Sequence, residues 1–486
     1  MFMQKTIEYF ACLRKTLKLH SYHSSMNSKE KIHVLGGGPA GLAVAYYAKK
    51  AGLVFNLYEA SDKTGGNAVT LKHGDFLFDS GAHRLHGKNP EVTAECQKML
   101  GSALKKVCVP SQVYHQGELI DFPLSPLNLL KKLGPFTFLK ACRQVLSKRI
   151  GKNSPILNFE DFAVSAYGQD LAGRFLLGYS KKLWGLPCRE LSPSIASSRL
   201  KGLTLHTFIL EALFGKKAKT EHLEGHDFYY PDYGIGMIAK ALEHFCGEES
   251  VNTQSRITRL FHNSHSITGV EINGAKRIET SFLINTLPLP LFLQIMDPKP
   301  PEPILRISNG LRFRSMILFL LTLDKESCTP NATVYFPDPD CVFTRVYEPR
   351  NRSLHMSPPG KTSLVAEIPC QTNDFLWNQP ESALKQKVCS QLLQTGWFRP
   401  EHILDTHLVK IFHAYPVLEL GFEEKVRTLL DYLQRFKNLR MTGRNGKFTY
   451  TSIHHMMTFG KELIDELQAQ QNVGASTTAA PEPALV

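Results

Sequence analysis

Between Val34 and Leu42 the chain reads Val34-Leu35-Gly36-Gly37-Gly38-Pro39-Ala40-Gly41-Leu42, a spacing that gathers backbone N–H groups at the start of a helix. Such a turn suits a pyrophosphate, because the N–H groups and the helix dipole both favour negative charge. A side chain at Gly36, Gly38 or Gly41 would block the turn, the approach of the phosphates or the packing of helix on strand. Glu59 follows the apolar run Phe55-Asn56-Leu57-Tyr58, where an acid can hold a pair of ribose hydroxyls. Together these residues point to a bound dinucleotide. A distant turn, Gly443-Arg444-Asn445, offers a second kind of chemistry. Its guanidinium is a planar fork of donors matched to phosphate oxygens, where an acid would repel them. Metal chemistry is not indicated: the ten cysteines include no C-x-x-C pair, and His454 and His455, adjacent on a helix, point about 100° apart.

The elements that must hold these groups follow from hydrophobic periodicity. A short apolar strand precedes the glycine turn, an alanine-rich helix follows it, and a second strand ends at Tyr58. Residues 71–78 read as a hairpin, 90–100 as a helix, and helices dominate 123–214. Strand alternation returns at 255–260, 266–272 and 282–288. From 312 to 369 strands alternate with proline-rich turns, suited to the floor of a substrate cavity. A helix over 381–394, a strand and turn over 438–444 and a last helix over 454–467 complete the pattern.

The chain has 486 residues, 43% apolar and 21% charged, which is ordinary for a folded globular protein of two or three units. Its net charge of +13 calls for an anionic ligand or surface. No nucleic-acid motif accompanies that charge, so a phosphate-bearing small molecule or anionic lipid fits better. Between Phe122 and Phe159 there are seven Lys or Arg and no acid, interleaved with apolar residues. That segment reads as a solvated helix face, or as the place where the protein meets a membrane if its substrate is lipid-linked. No run of about eighteen apolar residues exists to span a bilayer. Residues 1–30 read as a dispensable extension, with Met26 an alternative start and a weak targeting segment the competing reading. Residues 470–486 are small and polar and read as a disordered tail. The unpaired cysteines suit a cytoplasmic compartment, with peripheral membrane contact as the alternative.

The stretch from Lys31 to Thr70, with Gly65-Gly66-Asn67 after the acid, resembles the N-terminal signature of the flavoprotein family that holds amine oxidases, protoporphyrinogen oxidase and UDP-galactopyranose mutase. The resemblance spans about Lys31 to Leu467 and implies that the dinucleotide is FAD. It assigns cofactor contacts to Gly36, Gly38, Pro39, Ala40, Gly41, Glu59, Gly65, Gly66, Asn67, Ile257, Gly443 and Ile453, with the Ile257 backbone meeting the adenine. Many relatives carry Arg where Asn67 stands. The closing stretch Gly443-Arg444-Asn445-Gly446-Lys447-Phe448-Thr449-Tyr450 is similar to the mutase Gly-Arg-x-x-x-Tyr-x-Tyr turn, whereas amine oxidases usually read Gly-Asp there. By that similarity Arg444 and Tyr450 bind a substrate diphosphate. The stretch from Tyr179 through Lys182, Trp184 and Gly185 resembles the mutase Tyr-x-x-Lys-x-Trp-Gly, and Arg199 beyond it inherits an anion-binding role. The turn Gly81-Ala82-His83-Arg84-Leu85-His86 resembles Gly-x-His-x-x-His, which puts His83 beside the reactive flavin ring. The helix from Ser452 would aim its positive end at the flavin pyrimidine. His454 stands where that family often has Asp.

The expected fold class is α/β: a discontinuous Rossmann-like FAD-binding domain (31–95, 225–310 and 405–469), a mainly helical insertion (96–224), and an antiparallel-sheet substrate domain (311–404). The expected activity is FAD-dependent oxidation of an organic substrate by hydride transfer, with His83, Arg199, Arg444 and Tyr450 as the catalytic set, no metal and no nucleic-acid partner. A redox-neutral, flavin-dependent nucleotide-sugar mutase is the alternative.

Overall fold

The computed structural model describes residues 31–122, 128–132, 134–136, 139–140, 143–144, 155–197 and 227–478. Ile32–Leu35 is buried at every position, as a strand covered on both faces must be. It is the centre of a five-stranded sheet in the order Leu439–Met441, Phe282–Asn285, Ile32–Leu35, Phe55–Tyr58, Val251–Asn252, and every pairing in it is parallel. The helix Pro39–Lys50 carries the chain from the first strand to the second, with proline at its start, where no N–H is needed. The helix Ile453–Thr478 packs on it. A Cβ on Gly460 would lie 2.9 Å from the Ala43 carbonyl carbon, so glycine there sets the close approach of the two helices. This last helix continues past Leu467 into the segment expected to be disordered, as far as Thr478.

A seven-stranded sheet stands against this layer, in the order Ile403–Pro416, Phe313–Leu323, Thr362–Cys370, Arg345–Tyr347, Thr333–Tyr335, Ser111–His115, Glu118–Phe122. All its pairings are antiparallel except that of Thr333–Tyr335 with Ser111–His115. Its strands Phe313–Leu323 and Thr362–Cys370 are buried almost throughout, which explains their nearly unbroken apolar runs. The boundary expected after residue 404 falls inside Ile403–Pro416, which pairs with Phe313–Leu323 along nearly its whole length. Residues 104–122, expected at the start of a helical insertion, contribute three strands. Gln116 and Gly117 both have positive φ (51° and 86°), the turn geometry that matches the twist of a two-residue hairpin. A third sheet joins Lys276–Glu279, Ile267–Ile272, Ile257–His262 and Met296–Asp297.

The helical portion includes Phe159–Leu171, a π-helical turn over Ala172–Leu177, and Gly178–Trp184. Asn158 starts the first by accepting the Asp161 N–H at 2.9 Å. Gly185 ends the last with φ 72°. Arg314, from the central sheet, donates to the Leu183 carbonyl at 3.3 Å and the Lys182 carbonyl at 3.2 Å, satisfying the helix end with a cation. Trp184 is thereby fixed at a helix terminus tied to the sheet. Residues 1–30, Arg199 and most of the basic stretch 122–159 lie outside the described residues.

Candidate functional site

Four turns far apart in sequence meet at the start of Pro39–Lys50. Gly36 has φ 98°, and a Cβ there would lie 2.4 Å from Thr286 Oγ1. A Cβ on Gly41 would lie 1.9 Å from the Gly36 carbonyl oxygen, a backbone collision that leaves no alternative to glycine. The second glycine turn comes next: Gly65 N–H donates to Gly37 O at 2.8 Å, and a Cβ on Gly66 would lie 3.1 Å from Gly38 Cα. The third is Gly443, with φ 82° and a hypothetical Cβ 2.7 Å from Ala40 Cβ. Glu59 closes the group. One of its oxygens accepts the Gly37 N–H at 2.8 Å, and the other accepts the Ser61 N–H and hydroxyl at 2.9 and 2.7 Å. Gln254 and Ser255 N–H groups bond the Ser61 and Glu59 carbonyls, which brings the strand from Ile257 alongside the acid. This bare-backbone cradle, with a helix N-terminus at its centre and a carboxylate at its rim, fits a dinucleotide. Asn67 turns its amide toward the His413 carbonyl at 3.2 Å, linking the cradle to the seven-stranded sheet.

The second half of the site is made of side chains. Trp184, Tyr415 and Tyr450 form a cage: Trp184 to Tyr450 is 5.5 Å between ring centroids, Trp184 to Tyr415 6.3 Å, and Tyr415 to Tyr450 5.8 Å. The Arg444 guanidinium lies 5.0 Å from the Tyr415 ring and 4.7 Å from the Tyr450 ring, and donates to the Ala414 carbonyl at 2.8 Å. The faces of the two phenols hold the cation where an aliphatic wall could not. Below the cage, Arg345 Nε pairs with the fully buried Glu367 carboxylate, while its Nη2 donates to the Tyr415 hydroxyl at 2.9 Å. The other Glu367 oxygen accepts the Ala82 N–H at 2.7 Å. One carboxylate thus joins the loop of His83 to the aromatic cage.

His83 is half-buried, with Nε2 3.4 Å from the Ser80 hydroxyl, and Arg352 donates to its carbonyl at 3.2 Å. Loss of solvent, together with the positive charges of Arg345, Arg444 and Arg352, pushes its pKa from 6.5 down to about 3. It is therefore a neutral imidazole at ordinary pH. Asp79 anchors the base of the loop, accepting from the Tyr230 hydroxyl at 2.5 Å, Thr70 Oγ1 at 2.8 Å and the Ile235 N–H at 3.0 Å. Burial raises its pKa against those hydrogen bonds.

Of the residues singled out from sequence, His83, Arg444, Tyr450 and Trp184 come together here. Sequence reading missed Arg345, Glu367, Tyr415, Arg352 and Asp79. Glu367 left one signal, since an acid within the apolar run of Thr362–Cys370 must find a buried cation. The His454 and His455 rings lie 4.0 Å apart, tilted by 36°, and share the Ser452 hydroxyl at 3.1 and 3.0 Å. Among the described residues no group of His, Cys, Asp or Glu could hold a metal ion, and no helix is long and apolar enough to cross a membrane.

The profile of the flavin-containing amine oxidoreductase family matches residues 39–421. Tobacco mitochondrial protoporphyrinogen oxidase is 27% identical over 159 residues, 32% of this chain and 31% of the tobacco enzyme. The chain thus aligns with about a third of the length of that relative. Reduced UDP-galactopyranose mutase superposes with a TM-score of 0.80 at 18% identity, covering 91% of this chain and 94% of its own. A putative protoporphyrinogen oxidase from an Exiguobacterium species superposes at 0.72 and 16% identity, covering 92% and 100%. These two likenesses are of fold.

Proposed function

The chain belongs to the flavin-containing amine oxidoreductase family, and from that premise we propose that it is an FAD-dependent oxidoreductase that removes hydride from a small organic anion. FAD supplies the two-electron chemistry when bound. In this reading Gly36, Gly38, Pro39, Ala40 and Gly41 give the backbone seat for the pyrophosphate, and Glu59 exchanges its Gly37 and Ser61 contacts for the ribose hydroxyls. Gly65, Gly66, Gly443, the Ile257 backbone and the helix start at Ile453 complete the seat.

The observation that carries the substrate class is the Arg444 guanidinium held between the Tyr415 and Tyr450 rings. This guanidinium repels a protonated amine and attracts a carboxylate or phosphate. Arg444 binds the anion, Tyr450 and Trp184 cover its apolar body, and neutral His83 accepts or donates a single hydrogen bond at the reacting face without adding charge. The cage excludes water from that face.

A second reading rests on the same arginine. The Arg444–Tyr450 spacing also suits the diphosphate of a nucleotide-sugar, and then the reaction is an isomerisation with no net redox change. Anaerobic spectroscopy of the FAD-loaded protein separates the two. Under the oxidase reading, an anionic substrate alone bleaches the visible flavin bands and air restores them. If product instead forms only after reduction by dithionite, as an isomer and without peroxide, the oxidase reading fails and the mutase reading replaces it.

A further inference from the structure

Two ring-bearing residues next to the cage hold a backbone conformation that side chains of their kind rarely adopt. His413 has φ 50° and Phe448 φ 48°, in the left-handed region that favours glycine. The other described non-glycine residues of positive φ, Gln116, Gln254 and Asn273, are amides at turns and bends. His413 instead interrupts the strand Ile403–Pro416, and Phe448 is fully buried. Such conformations persist only where the surroundings over-determine them. Both residues meet the same side chain: the Phe313 ring lies 5.1 Å from His413 and 5.1 Å from Phe448, edge to face, at 90° and 78°.

Each strained residue stands two positions before a phenol of the cage, His413 before Tyr415 and Phe448 before Tyr450. The ladder shows the effect on the strand. Met316 pairs with Ile411 and Arg314 with Tyr415, so Ser315 alone faces residues 412–414. A bulge of this kind bends the strand and re-aims the side chains after it. Its carbonyls point into the site: that of His413 accepts the Asn67 amide at 3.2 Å, and that of Ala414 accepts Arg444 at 2.8 Å. On the other side, the Thr449 N–H donates to the Arg444 carbonyl at 2.9 Å, which ties the backbone beside Phe448 to the arginine.

From this arrangement we propose that Phe313 is a positioning residue for the anion clamp, its ring bracing His413 and Phe448 in left-handed conformations so that Tyr415 and Tyr450 face the Arg444 guanidinium. The proposal rests on the reading of Arg444 as the anion-binding group. Phe313 acts through the backbone of its two neighbours. Without its ring, either neighbour relaxes to negative φ and turns its phenol away from the arginine.

The test uses full-length, FAD-loaded protein and inorganic pyrophosphate as the anion probe, read by its perturbation of the visible flavin bands. Phe313→Leu keeps an apolar side chain but removes the ring, and is expected to weaken binding at least about fivefold with flavin content unchanged. Adding His413→Gly restores part of the affinity, because glycine holds φ 50° unaided, whereas adding His413→Ala does not. Native affinity in Phe313→Leu, or equal behaviour of glycine and alanine at 413, overturns the proposal. Failure of the underlying reading has a different signature: the native protein does not bind the probe, or Arg444→Ala binds it as well as the native protein does. Crystal structures of the native and Phe313→Leu proteins then decide. A change to negative φ at His413 or Phe448 with a displaced phenol supports the bracing role, and unchanged φ at both residues overturns it.

Discussion

The cradle proposed for the cofactor and the cage proposed for the substrate are built from opposite materials. The cradle is backbone: its close approaches depend on side chains being absent at Gly36, Gly41, Gly66 and Gly443, where a single Cβ would strike a neighbour. The cage is side chain: Trp184, Arg345, Glu367, Tyr415, Arg444 and Tyr450 come from five separate segments and hold one another by ring contacts and charge. Damage to the cradle should therefore act through sterics and remove the cofactor. Damage to the cage should act through uncompensated charge and alter substrate binding.

The largest expected effect tests whether the cage has a single keystone. Glu367→Ala leaves Arg345 buried without its carboxylate and releases the Ala82 N–H, and loss of one partner of a buried pair costs about 3–5 kcal/mol. Thermal unfolding of this variant should show a drop of that order, and the added variant Arg345→Met should restore part of it by removing the stranded charge. An undiminished melting temperature in Glu367→Ala would mean that the pair is not a dry one. Next comes the cradle. Gly41→Ala forces a methyl group against the Gly36 carbonyl and should cost about 1–3 kcal/mol, with loss of FAD from the purified protein. Gly173→Ala, where an added Cβ meets nothing within 4 Å, is the matched control and should retain both stability and flavin.

Arg444→Ala sharpens the comparison from the other side. Its loss should weaken an anionic substrate by about 1.5–3 kcal/mol, the usual worth of a hydrogen bond to a charged group. Flavin content should stay near normal. The readout is a rise in KM with the flavin spectrum unchanged. If FAD is lost together with substrate affinity, Arg444 belongs to the cradle and the division between the two halves is wrong at that point.

This division also explains what the sequence could disclose. A requirement for absent side chains is written locally, as glycines at fixed spacing, so the cradle was legible from residues 34–67 and from the Gly443 turn. The parallel pairing of Ile32–Leu35 with Phe55–Tyr58 follows from the same short pattern. The cage depends on which strands lie side by side, and that is set by long-range pairing. Tyr415 joins the cage because Ile403–Pro416 pairs with Phe313–Leu323 across the domain boundary expected at residue 405. Arg444 and Tyr450 were legible because they share the closing turn with a glycine, and His83 because it follows Gly81. Glu367 and Arg345 carried no such neighbour. Their partnership is visible only once Arg345–Tyr347 lies beside Thr362–Cys370.

The last effect concerns protons, is the smallest when taken per pH unit, and also distinguishes the two halves. His83 in the cage and His454 at the helix start beside the cradle are both held neutral, with pKa values pushed from 6.5 down to about 3, burial being the main cause in each. The unfolded chain protonates these rings below about pH 6.5 and the native chain does not, so unfolding takes up protons between about pH 6.5 and pH 3. Stability should accordingly fall as the pH drops through that window, with each ring contributing a slope of up to about 1.4 kcal/mol per pH unit. Above pH 6.5 neither ring contributes a slope. Denaturant unfolding of His454→Asn and His83→Asn across this range should each flatten the curve by one ring's share. Beyond burial the causes differ: arginines hold His83 down, whereas His455, His86 and Lys88 act on His454. An anion bound at Arg444 should therefore raise the pKa of His83 and leave that of His454 where it is, a difference that NMR titration of the two rings can read directly.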